Sequence, residues 1–267
     1  QAGVAGGSPI SFTNSNAQYA LVKNSISRSK NRCVDLWDTS NVLAAENVAY
    51  DAEGHCFAVG PNSQNNNLIS NLGALTRKAS VPILGANDDT EASTFYMGNP
   101  ANTWSANVAG GSERHGFLLE TSLTEPLGRF DGNRAHSNVE SGICVKGYAP
   151  SNLQTFRDTN SFRNSNTGLQ IIDSTSVEFN DGNVADNRHG IEIISAGGGT
   201  NPVVDLANLK ISGQTPGYKG LASFVDGTPV LCTGYASGPA VDGLAVHPNN
   251  AIVWAQSLHF SGFTSAD

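Results

Sequence analysis

The chain is poor in charged residues, aromatic residues and cysteine. Each shortage argues against certain classes of binding surface or site. Only 14% of its 267 residues are charged, 7% are aromatic and four are cysteines. The formal net charge is −8 and no basic stripe is present, which argues against a nucleic-acid-binding surface. An acidic surface also disfavours simple electrostatic capture of a polyanionic glycan.

Long apolar runs and long amphipathic helical patterns are missing as well. No apolar run reaches the 18 residues that would suggest a membrane-spanning helix. The opening segment, QAGVAGGSPISF, lacks the charged start and apolar stretch of a signal peptide. Neither end resembles a solenoid cap, so we expect the chain to be a piece of a longer protein.

What is present is a repeat of Asn, any residue and a small residue. Its successive steps are 24, 36, 26 and 50 residues, which fit coils of about 25 with one insertion. A turn followed by a short apolar run comes about ten residues after each triplet. The pattern predicts an all-β fold of stacked coils, a parallel β-helix. The triplets begin at Asn47, Asn71, Asn107, Asn133 and Asn183.

Stacking in register would place these asparagines about 4.8 Å apart in one file. Each side chain would then bond to the next asparagine and to the backbone of the bend. The alternative is that Asn simply marks surface turns. We expect coils over 1–200 with an inserted loop near 76–93. The Gly-rich segment at 195–202 is a candidate boundary, and 201–267 would continue the solenoid or form irregular coils.

Cysteine spacing suggests one bridge and no metal centre. Cys33 and Cys56 are 23 residues apart and share a phase, so they form either a disulfide or two buried thiols. Cys144 is one residue out of that phase and should face the other way, and Cys232 has no assignable partner. Zinc spacings are absent. The acidic run at 88–91 has oxygen ligands for calcium, but a solvated loop tip fits it better, and we predict no metal or cofactor.

Three long strings carry a family resemblance: YDAEGHCFAVGPNSQNNNLISNLGALTRKASVPILGAN, STFYMGNPANTWSANVAGGSERHGFLLE and EPLGRFDGNRAHSNVESGICV. They resemble the family of fibrocystin, the cell-migration-inducing hyaluronan-binding protein and its related transmembrane protein. The resemblance covers about two thirds of the chain. It implies a right-handed parallel β-helix in an extracellular or cell-surface protein, with the 76–93 insertion covering one face. It carries over no catalytic residue, because the family's proposed catalytic residues precede the matching segment.

One cluster has side chains suited to acid–base work on a glycan. The weak catalytic candidates are Glu113, His115, Asp131 and His136, and the binding candidates are Arg114, Arg134 and His136. Adjacent coils would bring them within reach, but a solvated set of turn residues with ordinary surface ion pairs is the favoured explanation. The Arg-His-Gly turns at His115 and His189, three coils apart, are expected to face water, and His55 to be structural.

Aromatic residues that stack on sugar rings are a further possibility. The candidates are Trp37, Trp104, Trp254, Tyr96 and Tyr148. Strand alternation from Cys33 would turn Trp37 inward and remove it from this set.

Two functions therefore compete. The first, which we prefer, is a structural or interaction rod, extracellular or on the cell surface, in a fibrocystin-like or ciliary assembly. Its partners would be neighbouring domains or chains at the solenoid ends. The second is a protein that binds or depolymerises hyaluronan or a similar polysaccharide.

Overall fold

A computed structural model gives the fold, and it describes residues 7–80, 89–195, 202–215, 221–225, 228–232, 242–247 and 251–263, with only the backbone described over 221–232. The described chain contains no α-helix. Its strands pair in parallel with their equivalents in the next coil, except in one hairpin. The predicted all-β parallel β-helix is confirmed.

One wall of the solenoid is a nine-stranded parallel sheet. Its strands in spatial order are β1 (Ile10–Ser15), β4 (Val34–Thr39), β7 (Phe57–Val59), β10 (Ser93–Met97), β13 (His115–Glu120), β16 (Ser141–Lys146), β18 (Thr167–Ile172), β20 (His189–Ile194) and β24 (Asp242–Val246).

The opposite walls form a fifteen-stranded sheet that bends around the core. One row contains β2 (Tyr19–Val22), β5 (Val42–Ala45), β8 (Asn67–Ile69), β11 (Thr103–Ser105) and β14 (Arg129–Asp131). The next row contains β3 (Ser25–Ser27), β6 (Val48–Glu53), β9 (Leu72–Arg77), β12 (Val108–Gly110) and β15 (Arg134–His136). The long strands β17 (Gln154–Phe162), β19 (Val177–Ala185) and β21 (Val203–Ser212) join the two rows, and β25 (Ile252–Gln256) and β26 (His259–Ser261) pair with β21.

Two features interrupt the coils. A short 3₁₀ helix, Asp89–Glu91, lies between β9 and β10, where the sequence period lengthens to 36 residues. An antiparallel hairpin joins β22 (Leu221–Val225) to β23 (Thr228–Cys232). Beyond residue 202 the parallel pairing continues through β21, β24, β25 and β26.

The core is a column of apolar side chains that repeats with the coils. Phe95 stacks between Phe57 and Phe117, with ring centroids 4.9 and 4.7 Å away. Phe156 stacks on Phe179 at 4.9 Å from the other wall. All five rings are fully buried, and each such side chain contributes about 2 kcal/mol through removal of its surface from water.

The asparagine file lies at one bend of each coil. The amide nitrogen of Asn47 donates to Asn71 Oδ1 at 2.9 Å, Asn71 to Asn107 at 3.0 Å and Asn107 to Asn133 at 3.1 Å. The residue before each of these asparagines has a positive φ, which turns the chain and leaves backbone groups without strand partners. The asparagine side chains supply those partners, for example at Leu68 O.

Asn183 does not belong to this file, contrary to the prediction. Its side chain is exposed and donates to Asn160 Oδ1 at 2.8 Å. In register, the position after Asn133 is Thr159 and the next is Gly182, one residue before Asn183. The reason is that β17 and β19 pass through this corner as continuous nine-residue strands.

A second file runs one bend further along the coils and was not predicted. Asn138 Nδ2 donates to Asn164 Oδ1 and Asn164 Nδ2 donates to Asn187 Oδ1, each at 2.9 Å. Ser112 N begins the file by donating to Asn138 Oδ1. These asparagines are spaced by 26 and 23 residues, so their coil-length spacing was the available signal.

Cys33 and Cys56 are joined by a disulfide between neighbouring coils, with their Cα atoms 4.5 Å apart. Cys144 pairs in register with Leu118, between core residues of the same strands, and its buried thiol is free. The side chain of Cys232 lies outside the described residues.

Candidate functional site

A groove follows the outer face of the nine-stranded sheet. It encloses about 730 Å³ and crosses the coils that contain β4, β7, β10, β13 and β16. The 3₁₀ helix forms one wall, and the segment 120–123 after β13 contributes to its lining. Charged, aromatic and small residues therefore meet in one concave surface outside the solenoid.

Trp37 lines this groove, whereas strand alternation from Cys33 had predicted an inward side chain. The correction lies in the backbone just before β4. Both Cys33 N and Val34 N donate to Cys56 O, at 2.7 and 2.9 Å, so two consecutive residues occupy one ladder position. Alternation restarts at Val34, which is buried, and Trp37 consequently points outward.

Arg32 fastens the insertion to the sheet. Its Nε and Nη2 donate to the two carboxylate oxygens of Asp89 at 3.0 and 2.9 Å, and its Nη1 donates to Asp35 at 2.6 Å. Asp89 also accepts from the backbone nitrogen of His55 at 2.8 Å. Asp89 is 2% exposed, so the acidic run is not the solvated loop tip that was expected. Asp88 lies outside the described residues.

Lys146 makes a second charged centre on β16, four coils from the coil of Arg32. Its Nζ lies 3.2 Å from Glu91 Oε2 and 2.8 Å from Glu120 Oε1. The two carboxylates thus flank one ammonium group, with Glu91 supplied by the insertion and Glu120 by β13. Burial opposes the charge on Lys146, but the bonds to Glu120 and Glu91 outweigh it and raise the pKa of Lys146.

Two histidines lie beneath the insertion in the neutral form. Burial lowers the pKa of His55 to about 4 and that of His115 to about 3. Each bonds through Nδ1 to a serine hydroxyl, His55 to Ser93 at 2.8 Å and His115 to Ser141 at 2.7 Å. Ser93 N also donates to His55 Nδ1, which assigns the proton of His55 to Nε2, facing Asp89 at 3.6 Å.

His115 corrects the expectation that the Arg-His turns face water, because it is only 3% exposed. The 3₁₀ helix shields it, with Glu91 Oε2 3.9 Å from its Nε2. His189 does lie three coils away in register, as predicted, and its Nδ1 is 3.2 Å from Asp242.

The pKa values of Asp35 and Asp89 are shifted in opposite directions, although both carboxylates contact Arg32. Burial raises the pKa of Asp35 more than Arg32 lowers it. Burial also acts against the charge on Asp89, but hydrogen bonds from Arg32 and the neighbouring His55 lower the pKa of Asp89. Burial opposes the charge of Arg32 too, and its bonds to Asp89 raise the pKa of Arg32 above the usual range. Asp89 is therefore the principal counterion.

Two aromatic rings are available in the groove. The Arg32 guanidinium carbon lies 4.8 Å from the Trp37 ring centroid, and Tyr96 stacks on His55 with centroids 4.3 Å apart. Both rings are partly exposed. Gly60 makes room for Trp37, because a Cβ there would lie 2.6 Å from the ring. Gly98, another lining residue, lies so close to Val59 O that a Cβ would be 2.9 Å from it.

The other aromatic candidates lie elsewhere. Trp104 and Tyr148 are fully buried, and the Tyr148 hydroxyl donates to Glu125 O at 2.8 Å. Trp254 is 66% exposed but belongs to the fifteen-stranded sheet. The groove therefore includes only two of the five rings that the sequence proposed.

The predicted acid–base cluster is divided between two sheets. His115 begins β13 in the nine-stranded sheet, whereas Asp131, Arg134 and His136 belong to β14 and β15 in the fifteen-stranded sheet. His136 stacks on Phe162 at 5.2 Å. The predicted common reach across adjacent coils is wrong, because the chain changes wall between these positions.

The remaining members of that cluster form separate pairs. Arg114 binds Glu140 at 2.7 Å, Arg129 binds Asp131 at 2.5 Å, and exposed Glu113 accepts from the backbone nitrogen of Lys78 at 2.7 Å. Sequence reasoning instead missed the pairs that line the groove, because Arg32 and Asp89 are 57 residues apart and Lys146 and Glu91 are 55 apart.

Within the described residues, no group of three or more His, Cys, Asp or Glu side chains is arranged to hold a metal ion. No helix in that part of the chain is long and apolar enough to cross a bilayer. The groove offers ring surfaces, carboxylates and two paired cations. Such a set can bind the apolar faces and hydroxyl groups of sugars.

Comparison with protein families matches residues 9–143 to the CEMIP beta-helix. A cell surface hyaluronidase of Danio rerio is 31% identical over 160 residues, covering 45% of this chain and 12% of that protein. The human cell migration-inducing and hyaluronan-binding protein is 27% identical over 161 residues, with the same two shares. The chain thus spans about an eighth of the length of these relatives.

A solved structure supports the fold independently. The A-module of a mannuronan C-5 epimerase from Azotobacter vinelandii superimposes with a TM-score of 0.51 at 12% identity, covering 88% of this chain and 62% of that one. At this identity the likeness concerns the parallel β-helix alone.

Proposed function

The chain belongs to the CEMIP β-helix family, and from this we propose that it is an extracellular or cell-surface module that binds a polysaccharide in the groove of the nine-stranded sheet. Relatives named as a cell surface hyaluronidase and as a hyaluronan-binding protein support both the location and the class of ligand. The observation that carries the proposal is the groove itself, with Trp37 and Tyr96 in its lining.

The groove has the geometry of a site for an extended chain. It crosses several coils, and equivalent positions in a parallel sheet recur about every 4.8 Å. Aromatic rings offer large apolar faces, and the surrounding charged groups offer hydrogen-bond partners. Arg32 lies over the Trp37 ring, and His55 stacks on Tyr96. Both rings are therefore held in place before a ligand binds, which lowers the entropy cost of binding.

The test is binding of a panel of soluble polysaccharides and their oligomers, measured by calorimetry. We expect Trp37→Ala and Tyr96→Ala each to weaken binding about five- to tenfold, the scale of one lost aromatic contact. Trp254→Ala is the matched control, since it removes an exposed ring from the other sheet. Equal losses in all three variants, or binding to none of the panel, would refute the proposal.

Cleavage of the glycan is a further outcome that the same panel addresses. Glu91 Oε2 and Glu120 Oε1 both contact Lys146 Nζ, so the two oxygens are at most about 6 Å apart. Carboxyl pairs of glycosidases have separations of about 5 to 10 Å. Here Lys146 fills the space between them, which favours binding over hydrolysis. Release of new reducing ends, abolished by Glu120→Gln, would reverse that preference.

An interaction rod is the second candidate. Its specific support is the row of apolar side chains exposed on the fifteen-stranded sheet, among them Val48, Tyr50 and Leu72. In this role the module would associate laterally through this row and join neighbouring domains or protein chains at the solenoid ends, within a surface assembly of the fibrocystin-like or ciliary kind. Self-association abolished by Tyr50→Ser and Leu72→Ser would support this role, and a monomer at all concentrations would count against it.

A further inference from the structure

Resting on the proposed function, we infer that the groove takes an amino-sugar polymer with free ammonium groups and selects against polyanionic glycans. The carboxylates that line the groove outnumber its cations, and both cations already have carboxylate partners. Among the described lining residues, three carboxylates surround two cations. The carboxylates belong to Asp89, Glu91 and Glu120, and the cations to Arg32 and Lys146.

Arg32 is not available to an anionic ligand. It is 3% exposed, and its guanidinium donates to Asp35 and to both oxygens of Asp89. The Trp37 ring covers one of its faces. A uronate or sulfate would have to displace a buried bidentate carboxylate to reach it, and a broken buried pair is costly. Arg32 therefore serves to hold the insertion and the ring.

Lys146 is more accessible, but both of its neighbours are carboxylates. An incoming uronate would meet Glu91 and Glu120 at the distances at which they bind the ammonium group. The repulsion from two like charges opposes the attraction to one cation. A hyaluronan-like chain, with a carboxylate on every second sugar, therefore meets net repulsion along the groove.

The same carboxylates favour a ligand with positive charge. The Glu120 side chain is 41% exposed and that of Glu91 is 31% exposed, so both can accept hydrogen bonds from a sugar ammonium group. The chain as a whole has a formal net charge of −8, which adds a long-range attraction for cations. An uncharged N-acetylated sugar would keep the contacts with the aromatic rings and lose only the electrostatic attraction to the carboxylates.

The experiment compares three hexasaccharides of matched length on the whole chain: an unacetylated β-1,4-glucosamine oligomer, its N-acetylated form and a hyaluronan oligomer. We expect the amine oligomer to bind about tenfold more tightly than the acetylated form, the difference that one or two exposed ion pairs supply. Hyaluronan should bind most weakly. Raising the salt concentration should reduce the preference for the amine.

The deciding variant is Glu120→Gln. It should weaken binding of the amine oligomer several-fold, leave the acetylated oligomer unchanged and strengthen hyaluronan, because Lys146 loses one of its two carboxylates. Glu46→Gln is the matched control, an exposed glutamate paired with Lys23 away from the groove.

The outcomes separate this inference from the broader proposal. If hyaluronan binds most tightly and Tyr96→Ala weakens it, the groove is a glycan site but the inference about charge is wrong. If Glu120→Gln changes neither the affinity for the amine oligomer nor that for hyaluronan, the inference is overturned as well. If none of the three oligomers binds, this inference is wrong, and the wider panel of polysaccharides decides the proposed function separately.

Discussion

The two outer faces of this solenoid come from one repeat, yet they differ in what they cover. On the nine-stranded sheet, Leu118 and Cys144 are fully buried although they alternate with core residues. On the fifteen-stranded sheet, Val48, Tyr50 and Leu72 are 40 to 49% exposed. Only the nine-stranded face carries the 3₁₀ helix of the insertion. One insertion into one coil therefore makes this outer face concave and buries part of its surface.

The charges on the two faces differ in the same way. Arg32 and Asp89 make a pair whose side chains are at most 4% exposed. Arg129 and Asp131, on the other sheet, have side chains that are 61% and 24% exposed. A buried pair is costly to break because the remaining charge has no water, whereas an exposed pair adds little. The following experiments test this contrast, from the largest expected effect to the smallest.

The largest effect should come from a file asparagine. Asn107→Leu removes the acceptor of Asn71 N and Asn71 Nδ2 and the donor to Leu68 O. Buried groups left without partners cost about 1 to 3 kcal/mol each, so we expect a loss of about 4 kcal/mol in the free energy of unfolding. Urea denaturation measures it.

The control for that change is Asn183→Leu, the same substitution at an exposed position. It removes one side-chain bond to Asn160 and should cost less than about 1 kcal/mol. Similar losses for the two variants would mean that the file is not a source of stability.

The next effect concerns the buried pair. Asp89→Asn deprives Arg32 of its principal counterion and should lower the free energy of unfolding by about 3 kcal/mol. It should also loosen the insertion, so trypsin should cut faster after the exposed Lys78. Asp131→Asn changes the equivalent charge on the other sheet and should cost under about 1 kcal/mol. If cleavage after Lys78 is unchanged in Asp89→Asn, the pair does not hold the insertion.

Acid should weaken the nine-stranded side through its buried histidines. The pKa of His55 is about 4 in the folded chain and near 6.5 when unfolded, so the unfolded chain binds protons more readily between these values. Stability present above pH 6.5 is therefore lost as the pH falls towards 4. From pH 7 to pH 5 the loss should be about 2 kcal/mol for this histidine.

Thermal unfolding at pH 7, 6 and 5 checks this sign. His55→Gln should show a smaller loss on acidification than the parent chain, whereas the exposed His259→Gln should follow the parent. A parent chain that gains stability from pH 7 to pH 5 would contradict the assignment of a neutral His55.

The smallest change in stability is expected from a pair of glycine variants. A Cβ at Gly60 would press on the Trp37 ring, and a Cβ at Gly110 would press on the His136 ring 2.9 Å away. Each alanine should cost about 1 kcal/mol or less, since a side chain can shift. Only Gly60→Ala should weaken glycan binding, measured by calorimetry. Equal binding by both variants would place the ligand away from Trp37.

Much of the fold was predictable because it is periodic. The spacing of Asn47, Asn71, Asn107 and Asn133 gave the coils and their bend, and the period of 36 residues marked the insertion. The prediction that Asn183 belongs to the file was wrong. The strand β19 runs through the bend there, and the triplet is one residue out of phase with the file. The prediction that Trp37 points inward was wrong because Cys33 and Val34 share one ladder position, which shifts the alternation by one residue.

The candidate site was predictable only in part. Trp37, Tyr96 and His55 were considered individually, but their meeting with Asp89, Glu91 and Lys146 was not. The sequence linked charges that were close along the chain, such as Glu113 and His115. In the structure, His115 and the candidates one coil later lie on different sheets, whereas residues 55 or 57 apart make ion pairs in the groove.

The sequence by itself determined the stacked coils, the asparagine bends and the place of the insertion. These follow from a repeat in which each residue meets its own equivalent, so local phase is enough. Only the tertiary structure decided which face became concave and which charges were buried there. That choice depends on where an irregular segment lands, and contacts between an insertion and distant coils leave no period in the sequence.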